Sequence, residues 1–180
     1  MASNGTREKR EEQRVLAAEA PRAETKPIIV ERLTHQDVPE IVQLYRRVWE
    51  PMKNDLPAEL VKAWQPSALE FTSWMEGVTY FAARRDGRLI GAVGCALSEG
   101  SCRLVHLAVD PEFRRQGVGT ALTKAAVEWA RHNQSSSVWA DSLLRFSAAA
   151  ELFRRLGFTE CGLWHRHYFN EDVRLFEMIL

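Results

Sequence analysis

The chain has 180 residues, 46% of them hydrophobic and 27% charged, the balance of an ordinary globular domain with a core of its own. Its 24 basic and 24 acidic side chains cancel, which argues against a nucleic-acid partner held by bulk positive charge. Cys95, Cys102 and Cys161 form no CxxC pair and are odd in number, which argues against a disulfide framework and a structural zinc site.

Unpaired thiols, no membrane-length apolar stretch and no leader-like h-region read as a cytoplasmic protein without a membrane partner. Residues 1–26 mix charges of both signs with Ala and Pro and read as a mobile extension. A short helix over residues 15–20 is the alternative there. Residues 27–180 read as one domain, with no internal repeat.

Residues 27–33 are rich in β-branched side chains and predict a first strand. Thr34, with Asp37 three residues later, marks a helix start. Val38, Ile41, Val42, Tyr45, Val48 and Trp49 follow at helical spacing until Pro51. A second helical stretch carries Leu60, Val61 and Trp64, breaks at Pro66, and restarts at the Ser67–Glu70 capping box. Phe71, Trp74 and Met75 give it an apolar face, and Gly77 suits its C-terminal cap.

Asp86-Gly87 predicts a hairpin between strands over residues 78–84 and 89–97. Glu99-Gly100 predicts a second turn, leading into a strand over 101–109. Ala121, Leu122, Ala125, Ala126 and Trp129 mark a helix, and residues 137–141 a short strand. Ala149, Leu152, Phe153 and Leu156 form an amphipathic helix closed by Gly157. Strands over 159–169 and 173–180 follow, with a turn at Asn170-Glu171-Asp172. This β-α-α-β-β-β-α-β-α-β-β order predicts a mixed α/β sheet, largely antiparallel at its start.

Residues 104–122 carry the chemistry: an apolar strand enters a basic, glycine-containing loop that opens a helix. First-turn amides and the helix dipole make an anion site there. Gly117 and Gly119 would let a phosphate approach, and Arg114 and Arg115 add charge. The ligand expected is a pyrophosphate. Leu122 stands where a Rossmann fingerprint needs glycine, and no lysine precedes Thr120 as a Walker loop requires. The bland alternative is a solvated surface turn.

Arg114-x-x-Gly117-x-Gly119, after Leu107-Ala108-Val109-Asp110-Pro111, resembles the coenzyme A loop of the GNAT acetyltransferases. The later segment Leu152-Phe153-Arg154-Arg155-Leu156-Gly157-Phe158 resembles that family's LYxxxGF stretch. The resemblance covers residues 27–180. It implies a mixed, mostly antiparallel sheet with a splayed parallel central strand pair and flanking helices. It also implies acetyl transfer from acetyl-CoA, as cosubstrate, to a primary amine of a small molecule. Protein N-terminal or lysine acetylation, and a non-catalytic coenzyme A sensor, remain as alternatives, and a homodimer stays open.

By the same resemblance, Leu107, Ala108 and Val109 would pair with pantetheine, and a backbone amide at Leu107 or Ala108 would polarise the thioester carbonyl. Arg114, Arg115, Gln116, Gly117, Val118, Gly119 and Thr120 would hold the pyrophosphate. Two positions depart from the family: Phe153 stands where a tyrosine often sits near the sulfur, and Phe146 where an asparagine often holds pantetheine. The missing acid is either water or another side chain; among side chains, Tyr168 is preferred over Ser142 and Cys161. For the base, His106, which ordinarily titrates near neutrality, and Asp141 are weighed against Glu112. His165 and His167 would share a strand face, but no further ligand is spaced for a metal. Trp49, Trp64 and Trp74 could line an acceptor pocket or simply pack in the core.

Overall fold

A computed structural model describes residues 26–180, so the extension expected over residues 1–26 lies, but for Lys26, outside the described residues. A seven-stranded sheet runs in the order β1-β2-β3-β4-β5-β7-β6. β1 (Ile29–Arg32), β2 (Thr79–Arg85), β3 (Arg88–Ser98) and β4 (Ser101–Val109) form an antiparallel meander. Both of its hairpins have two-residue loops with positive φ: Asp86 and Gly87 at 53° and 75°, Glu99 and Gly100 at 48° and 79°. That geometry matches the right-handed twist of paired strands, and it fixes the register the sequence predicts.

β5 (Ser137–Leu143) lies parallel to β4. β7 (Glu171–Ile179) is inserted between β5 and β6 (Thr159–Tyr168). The last turn falls at Phe169 and Asn170, with φ of 46° and 71°, a residue earlier than expected.

Among the described residues the helices are α1 (Val38–Trp49), α2 (Ala58–Ala63), α3 (Ala68–Trp74), α4 (Val118–His132) and α5 (Ser147–Arg155). No helix there is long and apolar enough to cross a membrane. Thr34 donates its amide to Asp37 Oδ2 at 2.8 Å, closing a one-turn 3-10 segment that leads into α1. Ser67 and Glu70 bond reciprocally at 2.7 and 3.3 Å to start α3, a cap of about 1 kcal/mol. Gly77, expected as the C-terminal cap of α3, lies two residues past Met75, which is the cap.

One face of the sheet packs on α4 and α5, through Ile90, Leu122, Ala126, Phe153 and Phe176. The other packs on α1 and α3, through Ile41, Tyr45, Phe71, Leu89 and Ala92. β3 is therefore buried on both faces from Leu89 to Cys95. Gly91 permits this: a Cβ there would lie 2.9 Å from Val118 Cγ1 and 3.0 Å from the Ala108 carbonyl oxygen.

The Gly-Phe segment is a helix stop with a physical reason. Gly157 has φ of 93°, its amide donates to Arg154 O at 3.1 Å, and Phe158 donates to Phe153 O at 3.0 Å. This is a Schellman motif, and the Phe153 and Phe158 rings pack 5.3 Å apart as its hydrophobic partner contact.

Candidate active site

The sheet opens at its centre. β4 and β5 pair from Ser101 and Ser137 only as far as Leu104 and Ala140. Beyond that point β4 stays with β3, and β5 stays with β7. The gap is bordered by Leu107, Ala108 and Val109 on one side, and Asp141 is the first residue past the pairing on the other.

A bulge sharpens the bend in β4. Gly94 pairs with Val105 and Ala92 with Ala108, so His106 and Leu107 together oppose Val93. His106 takes φ of 54° at this point, and Tyr45 Oη donates to its carbonyl at 2.9 Å. Gly94 leaves the bulge its space, since a Cβ there would meet Val78, Tyr80 and Val105 side chains within 2.8 Å.

The loop after β4 is anchored by Asp110, which is 1% exposed. Its amide donates to Ile90 O at 2.9 Å, and its Oδ2 accepts from Arg47 Nε at 2.9 Å and Arg88 Nη2 at 3.0 Å. The bonds from Arg47 and from the Glu112 amide outweigh burial and hold this carboxyl below its ordinary range. In the sequence Asp110 stands only as part of the Leu107-Ala108-Val109-Asp110-Pro111 stretch before the loop.

α4 then starts at Gly117, whose φ of 85° is left-handed. Among the described residues the amides of Val118, Gly119 and Thr120 find no acceptor. The two glycines serve different ends. Gly117 is needed for its backbone conformation, whereas a Cβ on Gly119 would press to 3.1 Å from Leu152 Cδ2.

A cleft of about 590 Å³ lies over these amides, lined by Leu107, Ala108, Val109, Arg114, Arg115, Gly117, Val118, Gly119 and Thr120. Gln116 does not line it: its side chain turns to Glu112 O at 2.9 Å and Arg85 at 2.6 Å. Arg155 at the end of α5 adds positive charge, and Arg145, two residues before that helix and paired with Glu171 at 2.7 Å, also lines the cleft; both were missed in the sequence. Arg155 has no ion pair among the described residues. A run of amphipathic helix gave no signal for Arg155, because it reaches the cleft only through the packing of α5 beside α4.

A second cavity of about 400 Å³ opens on the other side of the gap, and the two share Trp49, Leu107, Phe146 and Ala149 in their linings. Trp49, Trp64 and Trp74 all line it, as do His106, Asp141, Ser142 and Tyr168. Phe153, expected beside the cofactor, instead lines this cavity from the core, 5.3 Å from both Phe158 and Phe176. Its ring completes the Schellman contact, and that contact draws it inward. Cys161 is exposed on β6 and lines neither cavity. Glu112 is exposed and pairs with Arg88 at 2.8 Å. His165 and His167 lose their common alternation because β6 bulges between Trp164 and Tyr168, with Arg166 at φ of 53°.

Three polar groups meet in the second cavity. Arg103 donates to Asp141 Oδ1 from Nη2 at 2.8 Å and from Nε at 3.3 Å, and from Nη2 to Tyr168 Oη at 2.6 Å. Burial, with the nearby Asp141 carboxylate, pushes the Tyr168 phenol above its ordinary value, so it holds its proton at neutral pH.

His106 behaves differently from the near-neutral histidine expected. Burial, with the Arg103 charge beside it, pulls it down to about 4. Its ring stacks on Trp74 at 4.3 Å, and its Nδ1 lies 2.6 Å from Tyr80 Oη. The buried Tyr80 hydroxyl has no other acceptor among the described residues, which assigns it as donor and leaves the ring proton on Nε2. The neutral ring thus offers a donor at Nε2 and no free lone pair.

A stability consequence follows from the sign of that shift. Between pH 6.5 and 4 the unfolded chain binds a proton at His106 that the folded chain refuses, so stability falls on acidification. Wild type is expected to lose about 3 kcal/mol more between pH 7 and pH 4 than His106→Asn, which also tolerates the positive φ. Urea unfolding at the two pH values measures it, and equal losses would refute the buried neutral ring.

The acetyltransferase (GNAT) family model matches residues 39–158. The chain belongs to the GNAT acetyltransferase family. Human N-acetyltransferase 8 is 32% identical over 92 residues, 48% of this chain and 40% of that protein. The ribosomal protein bS18-alanine N-acetyltransferase of Escherichia coli K12 is 31% identical over 71 residues, 39% of this chain and 48% of that one. Streptothricin acetyltransferase of Streptomyces lavendulae is 31% identical over 87 residues, 47% of this chain and 46% of that one.

The matched stretches thus cover under half the length of these curated relatives. The GNAT fold itself is shared with solved structures. The E. coli ribosomal-protein-S18-alanine N-acetyltransferase superposes with a TM-score of 0.70 at 21% identity, over 85% of this chain and 94% of that one. A paiA N-acetyltransferase from Thermoplasma acidophilum, in complex with coenzyme A, gives 0.70 at 15%, over 86% and 99%.

Proposed function

We propose that this GNAT chain transfers the acetyl group of acetyl-CoA to a primary amine of a small molecule. The observation that carries the reading is the gap between β4 and β5, with a cationic cleft on one side and an aromatic cavity on the other. The residues fit the cosubstrate. The acceptor-less amides of Val118, Gly119 and Thr120 face a cleft ringed by Arg114, Arg115 and Arg155, the chemistry a diphosphate needs. The edge of β4 from Leu107 to Val109, unpaired towards β5, suits the amide groups of pantetheine.

Acetyl-CoA supplies an acetyl carbon activated by its thioester. The amine nitrogen bonds to that carbon as the carbon–sulfur bond breaks; the amine gives up one proton and the sulfur takes one. A backbone amide at Leu107 or Ala108 steadies the carbonyl oxygen. Asp141 receives the amine proton through Oδ2, since Arg103 occupies Oδ1. Tyr168, protonated at neutral pH, returns a proton to sulfur. His106 is a wall and a donor; of the two base candidates, His106 and Asp141, the proposal takes Asp141.

Calorimetry with acetyl-CoA, followed by thiol release across amines, tests the reading. Tyr168→Phe is expected to lower kcat about 100-fold with acetyl-CoA binding retained. An unchanged kcat would pass the acid role to water. Binding without turnover on any amine would favour a sensor. Because a bS18-alanine acetyltransferase is among the relatives, an alanine-starting peptide belongs in the panel as the second reading.

A further inference from the structure

We propose that the acceptor is a flat aromatic compound carrying a single primary amine and no carboxylate. This rests on the acetyl-transfer reading and names the substrate class of that site. Size sets the first limit. A cavity of about 400 Å³ lies at the low end of the ~300–1,000 Å³ of small-molecule sites, which suits a compact acceptor.

Shape sets the second. Trp49 and Trp64 pack with ring centroids 4.5 Å apart, and Phe146 stacks on Trp49 at 6.1 Å with only 25° between planes. Across the cavity Trp74 stacks on the neutral His106 ring. Walls of this kind accept a planar apolar body and hold an incoming ammonium by cation–π attraction until it is deprotonated.

Charge sets the third. Arg103 and Asp141 are the charged residues in the lining, and they pair with each other at 2.8 Å. The cavity therefore has no net formal charge. A second ammonium would be buried without a counter-ion, and a carboxylate would meet Asp141 while Arg103 is already engaged by Asp141, Tyr168 and the Trp139 face at 4.7 Å. Polyamines, amino acids and chain termini with charged neighbours are disfavoured together.

The roof points the same way. α2 carries Leu60 and Trp64 onto the ends of β5 and β7, while Phe169 closes from the β6–β7 turn. Apolar side chains from the end of α2 and from the β6–β7 turn thus both line the cavity, which suits a compact apolar amine better than a polypeptide.

Steady-state thiol release with acetyl-CoA tests this on phenethylamine, tryptamine, phenylalanine, spermidine and an alanine-starting peptide. The two aromatic monoamines are expected to exceed the other three in kcat/KM by about 100-fold. Trp64→Ala is expected to raise KM for phenethylamine about tenfold with acetyl-CoA affinity unchanged, and Trp64→Phe to restore it. Preference for spermidine, phenylalanine or the peptide would overturn the substrate class and leave acetyl transfer standing. Failure to take up acetyl-CoA, or turnover of none of the five, would remove the enzyme reading and this one with it.

Discussion

Gly91→Val is expected to weaken acetyl-CoA binding at least about tenfold and to lower Tm by roughly 4–10 °C. The two effects share one cause. A Cβ at position 91 would lie 3.0 Å from Ala108 O, 2.9 Å from Val118 Cγ1 and 3.0 Å from Leu122 Cδ1. The carbonyl belongs to β4 and is fixed by the sheet, so the helix side must yield. Val118 and Leu122 lie in the first two turns of α4, and the first turn carries the acceptor-less amides. Overpacking of this kind costs about 1–3 kcal/mol. It also moves the amides by tenths of an ångström away from the cleft they serve. Gly87→Ala is the control: nothing lies within 4 Å of its Cβ, so only the positive φ of the turn is strained. It is expected to cost stability without touching affinity. Calorimetry and thermal melts on both variants decide the matter, and a Gly91→Val protein that binds acetyl-CoA like wild type would detach the start of α4 from the phosphates.

Asp141→Asn carries the second large effect, an expected fall in kcat of about 100–1,000-fold with acetyl-CoA affinity held within about twofold. Asparagine keeps the size of the side chain and an oxygen for Arg103, so the cavity walls should stay in place. What it loses is the carboxylate proposed to take the amine proton. It also leaves Arg103 uncompensated in the cavity, which repels an arriving ammonium and raises KM. Asp141→Asn should therefore change kcat and KM together, whereas Tyr168→Phe should change kcat alone. Single-turnover rates separate the two. A full rate in Asp141→Asn would leave deprotonation to solvent.

Much of the fold was legible because its signals are local. Asp86-Gly87 and Glu99-Gly100 demand positive φ and pin two hairpins. Ser67 and Glu70 start a helix, and Leu156-Gly157-Phe158 stops one, through hydrogen bonds a few residues long. The loop from Arg114 to Thr120 was legible for the same reason. The catalytic side was less so. Arg103 meets Asp141 across 38 residues and Tyr168 across 65, pairings that exist only once β4, β5 and β6 are assembled. His106 looked like a near-neutral base because its partner Tyr80 sits on β2 and its bulge depends on Gly94 in β3. Phe153 looked like a cofactor contact because its motif position said so, while its packing against Phe158 and Phe176 turned it inward.

The place of β7 between β5 and β6 bears on how the domain assembles. The meander of β1 to β4 joins neighbours in sequence, so its ladders can form early. β6 and β7 likewise form a hairpin with a two-residue turn, but the ladder of β7 with β5 is not local: β7 must slip in beside a strand that ends more than two dozen residues upstream. Until it does, β5 and β7 each show a bare edge, and Leu143 and Val173, which face each other across that ladder, stay apart. The aromatic cavity, lined by Asp141, Ser142 and Leu143 of β5 and by Tyr168 and Phe169, is therefore complete only when that ladder closes, and a chain halted before Glu171 would hold the loop from Arg114 to Thr120 without the cavity beyond the gap.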